Sequence, residues 1–560
     1  MILLPVLLPA VAAVIAFFIR AHLPRRLLLA ATAALHTAVT AWMWVAPGQF
    51  PALGDWMALD GLGRLFLGIT SLLFLAVSVY AVGFLQRESR GPAAGPAGPA
   101  DRAAYPAAYP AADPTAVPSA NPSTDPSANP SADPSAVRSA DPEEGFLFTN
   151  IPEALFTACL LGFLAAMTLV TVSVHFGLVW VAIEATTLVS APLIYYHRHH
   201  RSLEAAWKYI LLCSVGIAVA LLGTYFVAAA VPRGGGGVSS LTFDRLLGRA
   251  AELDPRWLKA GFLLLVVGYG TKMGLAPLHA WLPDAHSEAP SVVSALLSGA
   301  LLNCAFLAIL RVVSVLAAAG LGEFSRQTLL VFGLASMAVA AGLIIGQGDY
   351  KRMLAYSSVE HMGILAVGIG LGGTGDWGAL FHAVNHSLTK AALFLLAGNL
   401  LAVYGTKKIS EVGGAVRRIP VTGVLWIAGI FAILGAPPFG AFSSELAILR
   451  AAIGSGSWLV VVLYSLLLAA VFAGMIGVLV RMAQGTPPPG QAAAARTEPA
   501  WPARPALGGL VPAGSAMSHR EPVLALLSPV ALLAATLALG IFVPDFLGRT
   551  LQQAMRLLGA

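Results

Sequence analysis

Long apolar stretches alternate with short polar ones along most of the chain. A helix needs about 20 apolar residues to cross the hydrocarbon core of a bilayer. Stretches of about that length lie at 1–19, 26–46, 60–85, 152–174, 176–195, 205–231, 257–281, 289–310, 328–346, 353–371, 377–403, 421–449, 457–480 and 523–543. Since backbone amides exposed to lipid would go unpaired unless they are in helices or closed barrels, helices fit these stretches. The pattern predicts an all-α, polytopic membrane protein of about 14 transmembrane helices.

Two polar stretches interrupt this pattern. Residues 86–145 are rich in Pro, Ala and Ser and carry proline at every fourth position from Pro118 to Pro134. Residues 483–521 are similar in composition. Because such sequences can bury little, we expect both to be disordered spacers. The first stretch lies in a cytoplasmic insert at 86–151, which follows an N-terminal three-helix segment at 1–85. The second is a loop that precedes a C-terminal helix at 522–560.

The composition agrees with a membrane location. The 560 residues have 58% hydrophobic and 11% charged residues and a mean hydropathy of +0.79, whereas soluble domains carry about 25% charged residues. The three cysteines stand singly, at Cys159, Cys213 and Cys304. We therefore expect no iron–sulfur, haem or structural zinc site and no cofactor. Electron transfer, where it occurs, would belong to partner subunits.

The basic residues predict an orientation. The net charge of +6 is spread over loops rather than gathered in a patch, so it does not indicate nucleic-acid binding. Loops such as those with Arg25 and Arg26, or Lys407 and Lys408, carry the excess of Lys and Arg that marks the cytoplasmic side. We expect an inner cell-membrane protein with both termini outside the cytoplasm, and we interpret Lys351 as a topology anchor.

The first half of the chain carries ionisable residues within predicted helices. An ionisable group at mid-membrane costs at least about 2.5 kcal/mol, so it is a functional candidate by default. Glu184 lies about eight residues, or roughly 12 Å, from the nearer end of its stretch. Lys208 lies one turn inside its helix with Glu204 on the same face. Lys208 is a candidate, although a lysine this close to the edge can also reach water.

A helix break follows the next candidate. Lys272 precedes Pro277, which cannot donate a helical hydrogen bond, and His279 follows at the break. Breaks within the bilayer line protein or water-filled cavities, and such a cavity can also accommodate a charged lysine. We therefore expect Lys272 and the break to belong to one site. We expect His279 to be a candidate relay residue, and His286 and Glu288 to lie at the membrane edge.

The second half repeats this theme. In FHAVNHSLTKAALFLL, His382, His386 and Lys390 follow one another at intervals of four residues. This spacing places them on one stripe of a single helix, about 12 Å long. We expect the stripe to form a ladder of titratable groups along the membrane normal.

Further charged residues accompany this stripe. Pro437 and Pro438 predict another broken helix, and Glu445 lies beyond the break. Glu360 and His361 begin the span at 353–371 and are candidate relay residues between the two sets.

This set of residues favours proton movement. A proton needs titratable groups and waters within hopping distance, and burial brings the pKa values of lysine and glutamate towards neutrality. Two broken-helix sets also favour two copies of one five-helix unit, which would be inverted relative to each other.

Other function classes fit the sequence less well. A lipid-linked glycosyltransferase would need an acidic or metal-binding cluster in a loop at the membrane edge, and the candidates there are only Asp284, His286 and Glu288. An assembly scaffold would not need the buried charges.

Three segments carry a family resemblance. The segment GYGTKMGLAPLHAWLPDAHSEAPSVVSALLSGALLNCAFLAILR resembles the antiporter-like proton-translocating family of respiratory complex I and multisubunit Na+/H+ antiporters. GDYKRMLAYSSVEHMGI and FHAVNHSLTKAALFL resemble it independently. The nearest likeness is to component F of hydrogenase-4 and its relatives in membrane-bound group 4 NiFe hydrogenases, over about residues 150–450.

The resemblance implies a fold and functional positions. It implies two inverted five-helix repeats, at 152–311 and 327–482. It places Glu184 at the family's essential glutamate and Lys272 at its partner lysine. The other implied positions are Lys208 at the start of the sixth helix, the ladder of His382, His386 and Lys390, and the terminal Glu445.

One departure concerns the eighth span. Some relatives carry a histidine or lysine there, whereas SALLSGALLNCAFLAIL offers only Ser298 and Asn303. Neither titrates, so we expect the link between the two halves to use water, with Asn303 as a candidate relay, or to run elsewhere. After the fourteenth predicted span we expect no long lateral helix of the kind carried by the largest complex I antiporter-like subunit.

The hypothesis from the sequence is a non-catalytic, proton-translocating subunit of a membrane-bound hydrogenase or complex I-like oxidoreductase. Its partners would be other membrane subunits and peripheral subunits carrying iron–sulfur or NiFe centres. The alternative is a subunit of a multisubunit Na+/H+ antiporter.

Overall fold

The computed structural model describes residues 2–45, 55–89, 151–232, 241–485 and 521–559. The Pro-rich stretch beyond residue 89 and most of the second one, residues 486–520, lie outside the described residues. Apart from isolated bridges, all regular structure in the described part is helical. The all-α prediction is therefore confirmed.

The described residues form 20 α-helices. They are α1 (Leu4–Phe18), α2 (His22–Val45), α3 (Gly61–Glu88), α4 (Ile151–Val172), α5 (Phe176–Ile194), α6 (His200–Ala230), α7 (Phe243–Gly248), α8 (Pro255–Met273), α9 (Trp281–Glu288), α10 (Ser291–Leu296), α11 (Leu302–Ala318), α12 (Gly322–Ile344), α13 (Tyr350–Leu371), α14 (Thr374–Tyr404), α15 (Ala415–Arg418), α16 (Pro420–Ile433), α17 (Gly440–Gly454), α18 (Trp458–Gln484), α19 (Val523–Ile541) and α20 (Asp545–Leu557). A π-helical turn, Leu297–Leu301, joins α10 to α11.

Eleven helical segments of the described residues are long and apolar enough to cross a membrane. The other three predicted spans are shorter or interrupted. The first is α1, of 15 residues. The predicted span at 257–281 becomes α8 and the start of α9, and the one at 421–449 becomes α16 and α17. The chain is thus a multi-pass membrane protein.

Both predicted helix breaks are present. The first begins at Gly274, whose φ of 86° ends α8 in the left-handed region that suits glycine. The indole of Trp281 donates to the carbonyl of Thr271 (2.8 Å) and ties the two sides of the break together. The second break follows α16 and contains Gly435, with φ of 64°. Each break leaves room for polar groups at mid-helix.

The most buried spans lie at the centre of the bundle. The segment Ser291–Ala318 is 94% buried within its apolar window, and α13 and α14 are 83% and 78% buried, against 22% for α18. Around this centre, α6 packs on α8, α12 on α13, and α14 on α17. Polar side chains on the central helices are therefore removed from lipid by neighbouring helices.

An ion pair that the sequence did not predict fixes the start of α3. Arg311 of α11 is buried, and its guanidinium donates to the Asp60 carboxylate (3.1 Å) and to the Thr171 carbonyl (3.0 Å). Asp60 also accepts a hydrogen bond from the backbone of Gly63, in the first turn of α3. The contact joins three segments that are remote in sequence.

The C-terminal region differs from its prediction. Residues 522–560 contain two helices, α19 and α20, rather than one. The second has a polar face, and its buried residues Leu547, Leu551 and Ala554 pack towards α3. At 13 residues it is too short to cross a bilayer.

Candidate functional site

The first cluster surrounds Lys272 in the last turn of α8. The side chain is fully buried, and its ammonium donates to the hydroxyls of Tyr209 (2.6 Å) and Thr187 (2.8 Å). The ammonium also lies 4.5 Å from the centre of the Tyr209 ring. Lys272 is thus held by neutral hydroxyl groups from α5 and α6.

Glu184 lies in the same cluster but does not contact Lys272 directly in the described hydrogen bonds. Its half-buried carboxylate accepts from Ser214 (2.7 Å) and, more weakly, from Thr187 (3.4 Å). Thr187 therefore stands between the lysine and the glutamate. The resemblance implies that Glu184 and Lys272 are partners, and in the structure the hydroxyl of Thr187 bridges them.

Lys208 and Glu204 lie apart from this cluster. They form an exposed ion pair of 2.6 Å on α6, and Lys208 also binds Asp284 at 3.1 Å. Asp284 in turn binds Arg352 of α13. The four side chains line an open basin of ≈ 480 Å³, which we call the surface basin.

Two basic residues that neighbour basin-lining residues in sequence are buried. Lys351, expected to be an anchor in water, is buried, and its ammonium donates to the carbonyls of Ala289 (2.6 Å) and Ser287 (3.3 Å). His286, expected at the membrane edge, is buried and stacks on Phe394. Helix α9, which carries His286, packs against α6 and against α13, which carries Lys351.

Glu288, also expected at the membrane edge, lines the surface basin and forms an ion pair of 2.8 Å with Lys407. Burial raises the pKa of the Glu288 carboxyl. The hydrogen bond and charge of Lys407, together with the charge of His199, lower this pKa by more than burial raises it, so the net shift of the pKa is downward. The carboxylate form is thus stabilised at the basin wall.

The second cluster is built on the predicted stripe of α14. His382, His386 and Lys390 are all fully buried. Lys390 donates to the carbonyl of Leu354 (2.7 Å) and to the hydroxyl of Ser357, both on α13. The stripe faces α13 and α17 rather than lipid.

A continuous hydrogen-bonded chain crosses this cluster. His361 Nδ1 and His382 Nε2 lie 2.8 Å apart, and His382 Nδ1 lies 2.9 Å from the hydroxyl of Ser444 on α17. The ring of His386 lies 5.2 Å from that of His361, and neither of its nitrogens has a hydrogen-bond partner among the described residues. Three helices therefore contribute to one imidazole cluster.

Two buried carboxyl groups complete the second cluster. Glu445 lies in the first turns of α17, and its carboxylate packs against Gly435 in the helix break. Glu360 of α13 is buried and interacts electrostatically with Lys390 and with Glu445. Acidic and basic groups thus share one buried cluster.

The remaining candidates lie between or beside the clusters. His279 is half-buried at the first break, where its ring contacts Tyr356. Asn303 donates to the hydroxyl of Ser387 of α14 (2.7 Å) and to the carbonyl of Gly299 (2.9 Å). Asn303 therefore joins α11 to the helix that carries the second cluster.

Sequence reasoning missed the hydroxyl groups of the two clusters. Tyr209, Thr187 and Ser214 contact the first cluster, and Ser357 and Ser444 contact the second. Hydroxyl residues are common within apolar helices and show no spacing signal. Their roles depend on which helix lies opposite.

The arrangement can pass protons. Two imidazole rings in hydrogen-bond contact can exchange a proton without an intervening water. A buried lysine held only by neutral acceptors has no fixed counter-charge, so a modest movement of a carboxylate changes its protonation. No covalent chemistry is needed for either step.

Comparisons with known proteins place these observations in a family. The family model described as NADH:quinone oxidoreductase/Mrp antiporter, TM, matches residues 173–472. The chain is 42% identical over 301 residues to a hydrogenase-4 component F homolog of Methylacidiphilum infernorum (isolate V4), covering 53% of this chain and 62% of that relative.

Solved structures are similar over nearly the whole length. A chain of an archaeal membrane-bound sulfane sulfur reductase matches with a TM-score of 0.74 at 18% identity, covering 100% of this chain and 97% of that one. A chain of the Mrp complex from Dietzia sp. DQ12-45-1b matches with a TM-score of 0.73 at 18% identity, covering 100% and 96%. These similarities establish the fold.

Proposed function

The chain belongs to the NADH:quinone oxidoreductase/Mrp antiporter family of transmembrane proteins, and we propose that it is a proton-translocating subunit of a membrane-bound hydrogenase or complex I-like oxidoreductase. Redox chemistry in partner subunits would drive it. The chain itself would carry out no covalent step.

The observation that carries this proposal is the buried chain from His361 through His382 to Ser444, with Lys390 on the same α14 stripe as His382. Burying this many ionisable groups is costly for a protein that needs only a stable bundle. Removing one acid or base would leave its partners buried and unpaired. A role in proton transfer would explain why these groups are buried despite that cost.

We propose separate roles for the two clusters. Lys272 would hold a proton in the first cluster and exchange it with Glu184 through Thr187 and water. Lys390, the three histidines and Glu445 would carry the proton through the second cluster. Glu204 and Lys208, in the surface basin, would take part in proton uptake rather than in the buried relay.

The two helix breaks support a further part of the proposal, that residues 152–311 and 327–482 are inverted repeats. Each half has a helix interrupted at a positive-φ glycine, Gly274 or Gly435, and followed by a second helical piece. Inverted repeats would give one half-channel open to each face of the membrane. Asn303 and Cys304 lie where the halves would be linked through water.

The test uses the intact complex, isolated through a tag on this chain and reconstituted into vesicles. Redox-driven acidification is measured with a pH-sensitive dye, beside the rate of the redox reaction. In Lys272→Met and His382→Phe variants we expect acidification to fall below a tenth of the wild-type value. Undiminished acidification in both would overturn the proposal.

The alternative, Na+/H+ exchange, predicts a different ion dependence. The same vesicles are assayed with Na+ replaced by K+, and again with a sodium ionophore. Proton movement that is unchanged in both conditions supports proton translocation alone. Proton movement that requires Na+ would favour the antiporter function.

Partners and location follow from the same proposal. We propose association with other membrane subunits and with peripheral subunits carrying iron–sulfur or NiFe centres. We also propose an inner cell-membrane location with both termini outside the cytoplasm. Subunit identification in the purified complex, and labelling of cysteines introduced at each terminus, test these two points.

A further inference from the structure

Three metal-ligand side chains converge in the second cluster. One ligand atom from each of His361, His382 and Glu445 can be chosen so that all three lie within 4.8 Å of one another, and all three residues are buried. Two imidazole nitrogens and one carboxylate oxygen are a ligand set of open zinc sites, in which water takes the fourth position. We propose that this cluster is a binding site for a divalent transition-metal ion, Zn²⁺ by its ligand chemistry.

The imidazole rings are already oriented for such a site. The hydroxyl of Ser444 holds His382 Nδ1 at 2.9 Å, which leaves Nε2 to face His361 Nδ1 at 2.8 Å. A metal-bound histidine is commonly fixed in this way through its second nitrogen. With Zn–N bonds of about 2.0–2.1 Å in tetrahedral geometry, the two nitrogens would lie about 3.3 Å apart. Separation of the rings by about 0.5 Å would therefore admit the ion in place of the shared proton.

The surroundings can compensate the charge of the ion. A divalent ion in an apolar interior requires negative groups close by. Glu445 supplies one carboxylate as a ligand, and Glu360 interacts electrostatically with Glu445. Glu445 and Glu360 thus supply two carboxyl groups to the cluster that would hold the ion.

His386 supplies a second, independent observation. It is fully buried, its ring lies 5.2 Å from that of His361, and both of its nitrogens lack partners among the described residues. A buried polar group without a partner calls for a ligand or water. Water in the fourth position of the ion would give His386 such a partner.

The ligand types also decide which ion binds. Imidazole nitrogen favours Zn²⁺, Co²⁺, Ni²⁺ and Cu²⁺, whereas Na+, Mg²⁺ and Ca²⁺ prefer oxygen ligands. The site is thus distinct from one that carries an alkali cation.

Binding has a consequence that rests on the proposed function. An ion held by His361 and His382 would take both rings out of the hydrogen-bonded chain, so Zn²⁺ would inhibit proton translocation. Metal binding is nevertheless measurable in a resting protein, without redox turnover. The two proposals can therefore fail independently.

The experiment measures binding of ZnCl2 and CoCl2 to the purified full-length chain in detergent. We expect one Zn²⁺ per chain by calorimetry, and Co²⁺ absorption bands of a four-coordinate nitrogen–oxygen site. His382→Ala is expected to weaken Zn²⁺ binding at least about 100-fold, and Ser444→Ala about 10–100-fold, since it removes only the orienting hydroxyl. Glu445→Gln, a milder change, tests the carboxylate ligand if His382→Ala fails to fold.

A matched variant separates this site from the exposed histidines of the α5–α6 loop. His197→Ala, His199→Asn and His200→Ala are combined, with asparagine chosen because His199 caps α6. We expect unchanged Zn²⁺ affinity in this variant. Absence of stoichiometric binding, or binding lost here and kept in both Ser444→Ala and Glu445→Gln, would overturn the proposal.

Two further measurements complete the test. Because protons and Zn²⁺ compete for the same imidazole nitrogens, Zn²⁺ affinity should fall as the pH is lowered. In vesicles, Zn²⁺ should inhibit acidification in the wild type and in the loop variant alike. Stoichiometric binding without inhibition would uphold the metal site and count against the role of these histidines in the relay.

Discussion

His361 Nδ1 and His382 Nε2 lie 2.8 Å apart in the buried centre of the bundle, although the two residues belong to different helices. Such a hydrogen bond requires one ring to donate and the other to accept. The two imidazoles therefore cannot both present a proton to each other. Transfer of a proton along the chain requires the pair to change roles, which couples His361 through His382 to the hydroxyl of Ser444.

Thr187 is expected to act as a bridge in the first cluster. Thr187→Val keeps the shape of the side chain but removes the hydroxyl between Lys272 and Glu184. Loss of a hydrogen bond to a charged group costs about 1.5–3 kcal/mol, so we expect acidification of vesicles to fall about tenfold or more. Thr186→Val is the matched control, because among the described residues its hydroxyl bonds within its own helix, to the carbonyl of Ile183. Equal effects of the two changes would contradict the bridge.

Lys390 is expected to require a removable proton. Lys390→Met removes the charge, whereas Lys390→Arg keeps it but does not deprotonate in proteins. If Lys390 serves as a relay, both variants lose acidification of vesicles, by about tenfold or more. Recovery of activity with arginine would instead indicate a purely electrostatic role. Lys408→Met, at an exposed ion pair with Glu411, should behave as the wild type.

Gly435 is expected to be intolerant of a side chain. Its φ of 64° costs a non-glycine residue about 1–2 kcal/mol, and a methyl group would overlap the Glu445 carboxylate. Gly456, with φ of 69°, has open space at the same position. Thermal unfolding in detergent should therefore show a larger loss of stability for Gly435→Ala than for Gly456→Ala. Similar losses would mean that the carboxylate moves aside freely.

Arg311 is expected to be a major contributor to stability. Arg311→Met leaves the Asp60 carboxylate and several carbonyls without their buried donor, at a cost of about 3–5 kcal/mol. Arg249→Met, at an exposed pair with Glu252, should change stability by about 0.5 kcal/mol or less. Thermal unfolding of both variants, compared with the wild type, gives the two values. A small effect at Arg311 would show that the start of α3 is held by packing alone.

Glu288 predicts a pH-dependent contribution to stability. Its net downward pKa shift means that the folded state favours the carboxylate. The stabilisation is therefore complete above the ordinary glutamate pKa of about 4.3 and is lost as the pH falls through the lower folded value. The stability difference between the wild type and Glu288→Gln, from thermal unfolding, should be constant from pH 6 to 8, on the order of 1 kcal/mol, and should shrink below about pH 4.3. A difference that does not vary with pH would contradict the ion pair with Lys407.

Much of the fold could be read from local sequence. Stretches of about 20 apolar residues identified the spans, and the α14 stripe followed from four-residue spacing, because helix periodicity depends only on neighbouring residues. Pro277 and the pair Pro437 and Pro438 marked both breaks for the same reason. These features need no knowledge of what packs against them.

Positions that depend on packing were less predictable. Lys351 and His286 look like edge residues by their place in sequence, yet both are buried, in a region where α9 packs against α6 and α13. Lys208 and Glu204 are charged and near a helix end, and here they do face the surface basin. Arg311 gave no signal, because its partner Asp60 is 251 residues away in sequence.

The sequence by itself determined that the chain is a helical membrane protein, where its helices break and which ionisable residues lie within the spans. Only the tertiary structure decided that His361 meets His382 and that Thr187 separates Lys272 from Glu184. The physical reason is that hydropathy and helical period are local properties. The rotation of one helix relative to another depends on side chains far apart in the chain.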